Sequence, residues 1–284
     1  MTGLAAHLRA NLAGVQARLG ALLGGDVGAR RGAWAMAAGA AALYVFGLVA
    51  LDMSPARLWT GAGRLLDILG LMLPPQLGTW SRFWLYLQAL GQTLSIALLG
   101  TLAAALFAFP AGFLAARTVV ANRLVHFLTR RSLDTIRSVD ILIWALIWIN
   151  VVGLGPFAGA LAIACADFGA LAKIMSEAVE AVDEKAREGV VSCGGGRLAA
   201  LRFGVIPQVL PIFVSQLLYF FESNVRSATI IGIVGAGGIG LYLYEQIRVL
   251  EWQEAAFIIL MVLVTVAVID AFSQRLRAAL IGRR

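Results

Sequence analysis

The sequence predicts an all-α integral membrane protein with about six transmembrane helices. Three observations lead there. The composition is 60% hydrophobic and 14% charged, far from the roughly 45–50% apolar and 25% charged usage of soluble domains. The apolar residues gather in blocks long enough to cross a hydrocarbon layer about 30 Å thick, which takes about 20 residues of helix. The blocks are continuous rather than alternating, so a β-barrel is excluded and helices are left to satisfy the backbone in lipid.

Taken in order, residues 1–31 form a basic amphipathic segment, "AAHLRANLAGVQARLGALL", without a cleavable-signal pattern, and are expected along the cytoplasmic membrane surface. Residues 32–83 hold the first membrane helix, 33–53, and then "SPARLWTGAGRLLDILGLMLPP". The second stretch has apolar residues at helical spacing around Arg57, Arg64 and Asp67, the pattern of a helix lying at the outer interface. Residues 84–284 form the core, with apolar blocks at 84–114, 139–153, 157–177, 209–233 and 253–274 and a cytoplasmic loop at 178–207. The 139–153 block is the shortest, and Pro110 sits inside the 84–114 block, where a kink is expected.

Orientation follows from the basic residues. With the N-terminus inside, 18 Lys and Arg fall on the inner side and Arg57, Arg64, Arg82 and Arg248 on the outer, with Arg226 alone within a helix. That asymmetry places both termini in the cytoplasm. It also accounts for the net charge of +7 without nucleic acid, because the basic residues flank apolar blocks instead of forming one soluble face.

Catalytic chemistry finds no support in the sequence. His7 and His126 lie outside the crossings, no Ser–His pair or nucleophile elbow occurs, and Cys165 and Cys193 have neither metal-ligand spacing nor a disulfide framework. A Walker A loop is absent. The expected chain is therefore not an enzyme and holds no catalytic residue, metal or cofactor of its own.

"IGIVGAGGIG", residues 231–240, places Gly235, Gly237 and Gly240 at the spacing of a dinucleotide-binding turn. That fingerprint needs a preceding strand. Here a membrane helix precedes it and the charge rule puts it outside, so Gly235, Gly237, Gly238 and Gly240 read as a packing and gating element, either a close helix approach or a re-entrant turn.

Two further stretches are candidates for function. The loop "EAVEAVDEKAREGVVSCGGGRLAALRFGVIPQVLP" has a charged helical part, a break at Gly194, Gly195 and Gly196, and a second short amphipathic helix ending near Pro207. It reads as a contact surface for a partner. On the fifth membrane helix, Ser215, Tyr219, Glu222, Arg226 and Thr229 recur at spacings of four and three and share one face, with Asn224 in the same stretch. Ionisable residues at membrane depth mark pathways, whereas a Glu222–Arg226 bridge that only holds helices together is the equal alternative.

The loop resembles a known signature. Glu188 and Gly189, then Gly194 after "VVSC", then "GVIP" ending in Pro207, are similar to the conserved-motif loop of ABC importer permeases, with Gly189 and Val190 standing for its two alanines. "GLGPFAG" (153–159), "SEAVE" (176–180), "PQVLP" (207–211), "FESNVRSAT" (221–229) and "VGAGGIG" (234–240) resemble the phosphonate-transporter branch over about residues 85–280. "CADFG" (165–169) and Asp140 depart from that branch's pattern.

The resemblance implies a type I ABC importer permease-like fold in a bacterial inner membrane, crossing it several times. It implies import of phosphonate, phosphite or hypophosphite, or alternatively of another small solute such as an amino acid, since the glycine turn also resembles methionine-importer permeases. The implied partners are a second, identical permease copy, two ATP-binding cassette subunits that bind the ATP, and an outer substrate-binding protein, besides membrane lipid. Glu188, Gly189, Gly194, Arg197 and Pro207 would then couple to the ATPase, with Gly194 reversing the chain where a side chain would clash. Ser215, Tyr219, Glu222, Asn224, Arg226 and Thr229 would line the path.

Overall fold

The computed structural model describes residues 27–120 and 122–281. The expected surface segment lies, up to residue 26, outside the described residues, as does His7. The chain divides into two compact units, one through Asp67 and one from Ile68 onward.

In the first unit, α1 (Val27–Ala50) is 24 residues long, about 36 Å at 1.5 Å per residue, enough to cross a bilayer. Its apolar side chains, Trp34, Leu43 and Phe46 among them, are turned outward, as lipid-facing residues are. A turn with Asp52 in the left-handed region leads on to α2 (Pro55–Leu71). There Arg57 pairs with Asp52 at 2.7 Å and its backbone N–H donates to Ser54 Oγ. The stretch expected to be helical after the first crossing forms α2.

The second unit contains α3 (Trp80–Ala115), α4 (Arg123–Arg137), α5 (Ile141–Val152), α6 (Pro156–Glu180) and α7 (Glu184–Ser192). A single turn at Arg197–Ala199 then runs through a π-helical stretch, Ala200–Val205, into α8 (Ile206–Ile231), which ends in a second π stretch, Gly232–Ala236. The last two helices are α9 (Ile239–Arg248) and α10 (Trp252–Ile281). Among the described residues there is no strand.

Among the described residues five helices are long and apolar enough to cross a membrane, and α4 with α5, bent at 87°, would make a sixth crossing. The 139–153 block forms the helix α5, which contributes to a crossing only together with α4. With 12 residues, α5 reaches about 18 Å, short of the hydrocarbon thickness. Asp140, which departs from the resembled pattern, caps it by accepting a hydrogen bond from the Leu142 N–H at 2.8 Å. By contrast, α3 runs unbroken through Pro110.

Small residues hold the core together. Ala97, Ala104, Ala108 and Ala115 of α3 are buried, as are Ala162 and Ala172 of α6. A Cβ at Gly100 would lie 2.9 Å from the Ala160 carbonyl, and one at Gly112 would run into Met175. Close backbone approach of this kind is how helices associate where lipid is as apolar as the side chains. One apolar cluster packs around Leu171, Met175 and Val209, a second around Ile96, Ile163 and Ile231, and a third around Tyr86, Ile239 and Ile258.

Candidate functional site

The loop after α6 is held by its own polar groups. Asp183 caps α7 by accepting from the Lys185 N–H at 3.0 Å, and Glu184 adds an acid in the first turn, where the helix dipole favours it. At the far end the Gly194 N–H donates to the Val191 carbonyl and the Gly195 N–H to that of Val190. Gly194 has φ +83°, and this is why a glycine reverses the chain there. The expected clash is not at Gly194, where a Cβ would meet open space, but at Gly195, where it would lie 2.7 Å from Val190.

No short helix ends near Pro207. The chain is helical from Arg197 through the π stretch into α8, with Pro207 in the first turn of that helix, where a missing N–H costs little. Gly204 lets this stretch lie on α7, because a Cβ there would be 2.9 Å from Arg187 Cα. Glu188, Gly189, Gly194, Arg197 and Pro207 are all exposed, and Leu198 and Phe203 stand out beside them.

Around the base of the loop, Glu180 accepts from the Arg117 N–H at 2.9 Å and pairs with Arg130 at 3.6 Å. Lys173 of α6 reaches Asp134 of α4 at 2.9 Å.

On α8 the expected face divides. Glu222 and Thr229, seven residues apart, are buried, whereas Tyr219 and Arg226 are exposed and Ser215 is half-buried. Glu222 is shared by two arginines. It pairs with Arg226 at 3.4 Å within the helix and with Arg277 of α10 at 3.2 Å. The Arg277 side chain is 20% exposed and that of Arg226 50%, so the interhelical partner is the more enclosed one. Arg277 was read from sequence only as a topology signal.

Asn224 points another way. Its amide donates to Thr101 of α3 at 2.8 Å and to the Asp167 carboxylate of α6. All three side chains are buried, so three helices meet at one polar joint inside an apolar core. Buried polar groups persist where they are satisfied in this way. Asp167 lies in the departing "CADFG" segment, and its carboxylate within an apolar block was the signal that could have found the joint.

The glycine turn is tightly enclosed. Gly235, Gly237 and Gly238 have φ of +101°, +79° and +80°. A Cβ at Gly240 would run into the Thr229 carbonyl, one at Gly238 into Thr93, and one at Gly237 would lie 3.0 Å from Pro156. The Gly235 carbonyl accepts from the Gly155 N–H at 3.1 Å. The turn leads into α9, a helix the sequence reading missed, whose first N–H groups are taken by α3: Gly238 donates to Gln92 and Ile239 to Thr93, at 3.3 and 2.8 Å. On the same side Glu254 of α10 accepts from Arg82 and, at 2.9 Å, from the Tyr86 hydroxyl, both on α3. Among the described residues no group of three or more His, Cys, Asp or Glu could hold a metal.

The chain matches, over residues 108–284, the family described as binding-protein-dependent transport system inner membrane component. It is 35% identical to the phosphite transport system permease protein PtxC of Stutzerimonas stutzeri, over 82% of this chain and 86% of that one. It is 36% identical to the phosphate-import permease protein PhnE of Mycolicibacterium smegmatis, over 84% of this chain and 44% of that one. Among solved structures, the inward-facing MetNI methionine ABC transporter matches with a TM-score of 0.63 at 18% identity, over 71% of this chain and 99% of that one, a likeness of fold. With one family matched over more than half its length and permeases aligned over four-fifths of it, this chain belongs to the inner-membrane permease components of binding-protein-dependent ABC importers.

Proposed function

We propose that this chain is the permease of an ATP-driven importer of a phosphorus oxyanion such as phosphonate, phosphite or hypophosphite. The observation that carries the reading is the alignment with permeases named for phosphite and phosphate over more than 80% of the chain. The chain binds no ATP. Two ATP-binding cassette subunits hydrolyse it, a second and identical permease copy completes the path, and a substrate-binding protein delivers the anion from outside. Both termini face the cytoplasm.

In this reading the loop of α7, Glu188, Gly189, Gly194, Arg197 and Pro207 seats in the ATPase, and its exposed Leu198 and Phe203 supply apolar contact. Closure of the ATPase then moves α6 and α8, which flank the loop, as alternating access requires. The path runs along α8. Arg226, half exposed and tempered by Glu222, attracts an anion without trapping it. Tyr219, also exposed, and the half-buried Ser215 extend that path, the buried Thr229 completes it once the helices rearrange, and Asn224 braces the helix through Asp167 and Thr101. The glycine turn at Gly235, Gly237, Gly238 and Gly240 serves as the outer packing and gating element.

The test is uptake into proteoliposomes holding the permease, its ATPase and its binding protein. ATP-dependent accumulation of labelled phosphite or methylphosphonate, without accumulation of methionine, is expected. Accumulation of an amino acid instead would replace the reading with the other small-solute importer.

A further inference from the structure

A recess of about 470 Å³ opens where the end of α3 meets the loop, and three arginines are among the residues that line it. They come from three segments: Arg117 from the turn after α3, Arg187 from α7, and Arg197 from the turn after the glycine run. No carboxylate lines the recess, and Thr118 adds a hydroxyl. A second recess of about 530 Å³ shares Arg117 and adds Arg123 and His126.

The arginines are poorly neutralised by the protein. Arg187 has only Glu184, at 3.5 Å on an exposed helix surface, a geometry that contributes little. Arg117 gives its Nε–H to His126 at 3.2 Å, which leaves its terminal nitrogens for another acceptor. Arg197 has no carboxylate within ion-pair distance among the described residues. Converging cations repel one another unless an anion joins them, and the planar guanidinium fork suits the paired oxygens of a phosphate-type group.

We propose that this recess binds a tetrahedral phosphorus oxyanion, either free or as the phosphate of an anionic lipid, bridging the end of α3 to α7 and the Arg197 turn. A bound anion ties the end of α3 to α7 and to the Arg197 turn that already packs on it, and so stiffens the loop assigned to the ATPase. That consequence rests on the reading of the chain as an importer permease; the binding itself does not.

The experiment uses the purified permease–ATPase complex in nanodiscs of neutral phosphatidylcholine, titrated with inorganic phosphate against sodium chloride of matched ionic strength. Phosphate is expected to raise the unfolding temperature of the unaltered complex. Arg117→Gln should abolish the shift, while Arg117→Lys should keep part of it. Discs containing phosphatidylglycerol separate the sources. If lipid fills the recess, the unfolding temperature is already raised there and phosphate adds nothing; if a free anion does, phosphate raises it in both discs.

An equal phosphate shift in Arg117→Gln, or no shift with either phosphate or phosphatidylglycerol, overturns the site. So does loss of the ATPase from Arg117→Gln on purification, which would make the recess a docking surface for an acidic protein segment. A complex that shows the Arg117-dependent shift yet imports methionine would keep this site and remove the phosphorus importer.

Discussion

Glu222 and Arg277 lie 55 positions apart and form a 3.2 Å ion pair that joins α8 to α10. Glu222 therefore has two jobs on two helices: it anchors α10 through Arg277 and positions Arg226 beside an exposed face. Arg277→Gln should lower thermal stability by about 1–3 kcal/mol, the cost of leaving a buried acceptor short of a partner. Arg226→Gln should cost less stability, still assemble and hydrolyse ATP, and transport poorly. Thermal unfolding and uptake measured on both variants decide it; a greater stability loss in Arg226→Gln would make that pair structural.

At the polar joint, Asn224→Leu leaves the Asp167 carboxylate buried among apolar groups. A loss of about 2–4 kcal/mol is expected, visible as reduced yield and a lower unfolding temperature. Adding Asp167→Leu should restore much of it, because removing both partners removes the unmet demand. A double variant as unstable as the sum of the singles would show that the two side chains do not act as a unit.

The outer turn should tolerate nothing larger than glycine. At Gly237 and Gly238 a side chain meets both a positive φ and a neighbour. Leucine at both should lower transport sharply while ATPase co-purification persists, since the loop of α7 is a separate element. Normal uptake by that variant would remove the gating role.

The inner loop separates strain from clash. Gly194→Ala meets only the left-handed backbone, a cost of about 1–2 kcal/mol, whereas Gly195→Ala meets Val190. Gly194→Val with Glu188→Arg should leave the membrane helices inserted and weaken ATPase co-purification. Retention of both assembly and transport would show that the coupling residues lie elsewhere.

The long crossings were legible because a membrane helix declares itself in twenty residues of apolar sequence, and α1, α3, α6, α8 and α10 all do. The bend between α4 and α5 was not, since one apolar block cannot say that its helix stops at 12 residues. Likewise α9, ten residues long, was hidden behind the glycines. The Glu222–Arg226 pair was readable because helical spacing is local. Arg277 with Glu222 and Asp167 with Asn224 were not, because their pairing depends on which helices pack together. The glycine run was visible in the sequence, while the atoms that enclose it, Thr93, Thr229 and Pro156, come from other parts of the chain or from its own preceding helix.

The length of α3 sets a condition on the bilayer itself. Its 36 residues span about 54 Å, and even at about 40°, the upper end of usual tilts, the projection is about 41 Å against about 30 Å of hydrocarbon. At least one end therefore stands in or beyond the headgroups. Thicker acyl layers would swallow that overhang before they altered the tilt, so the protein has a margin for membranes of different thickness.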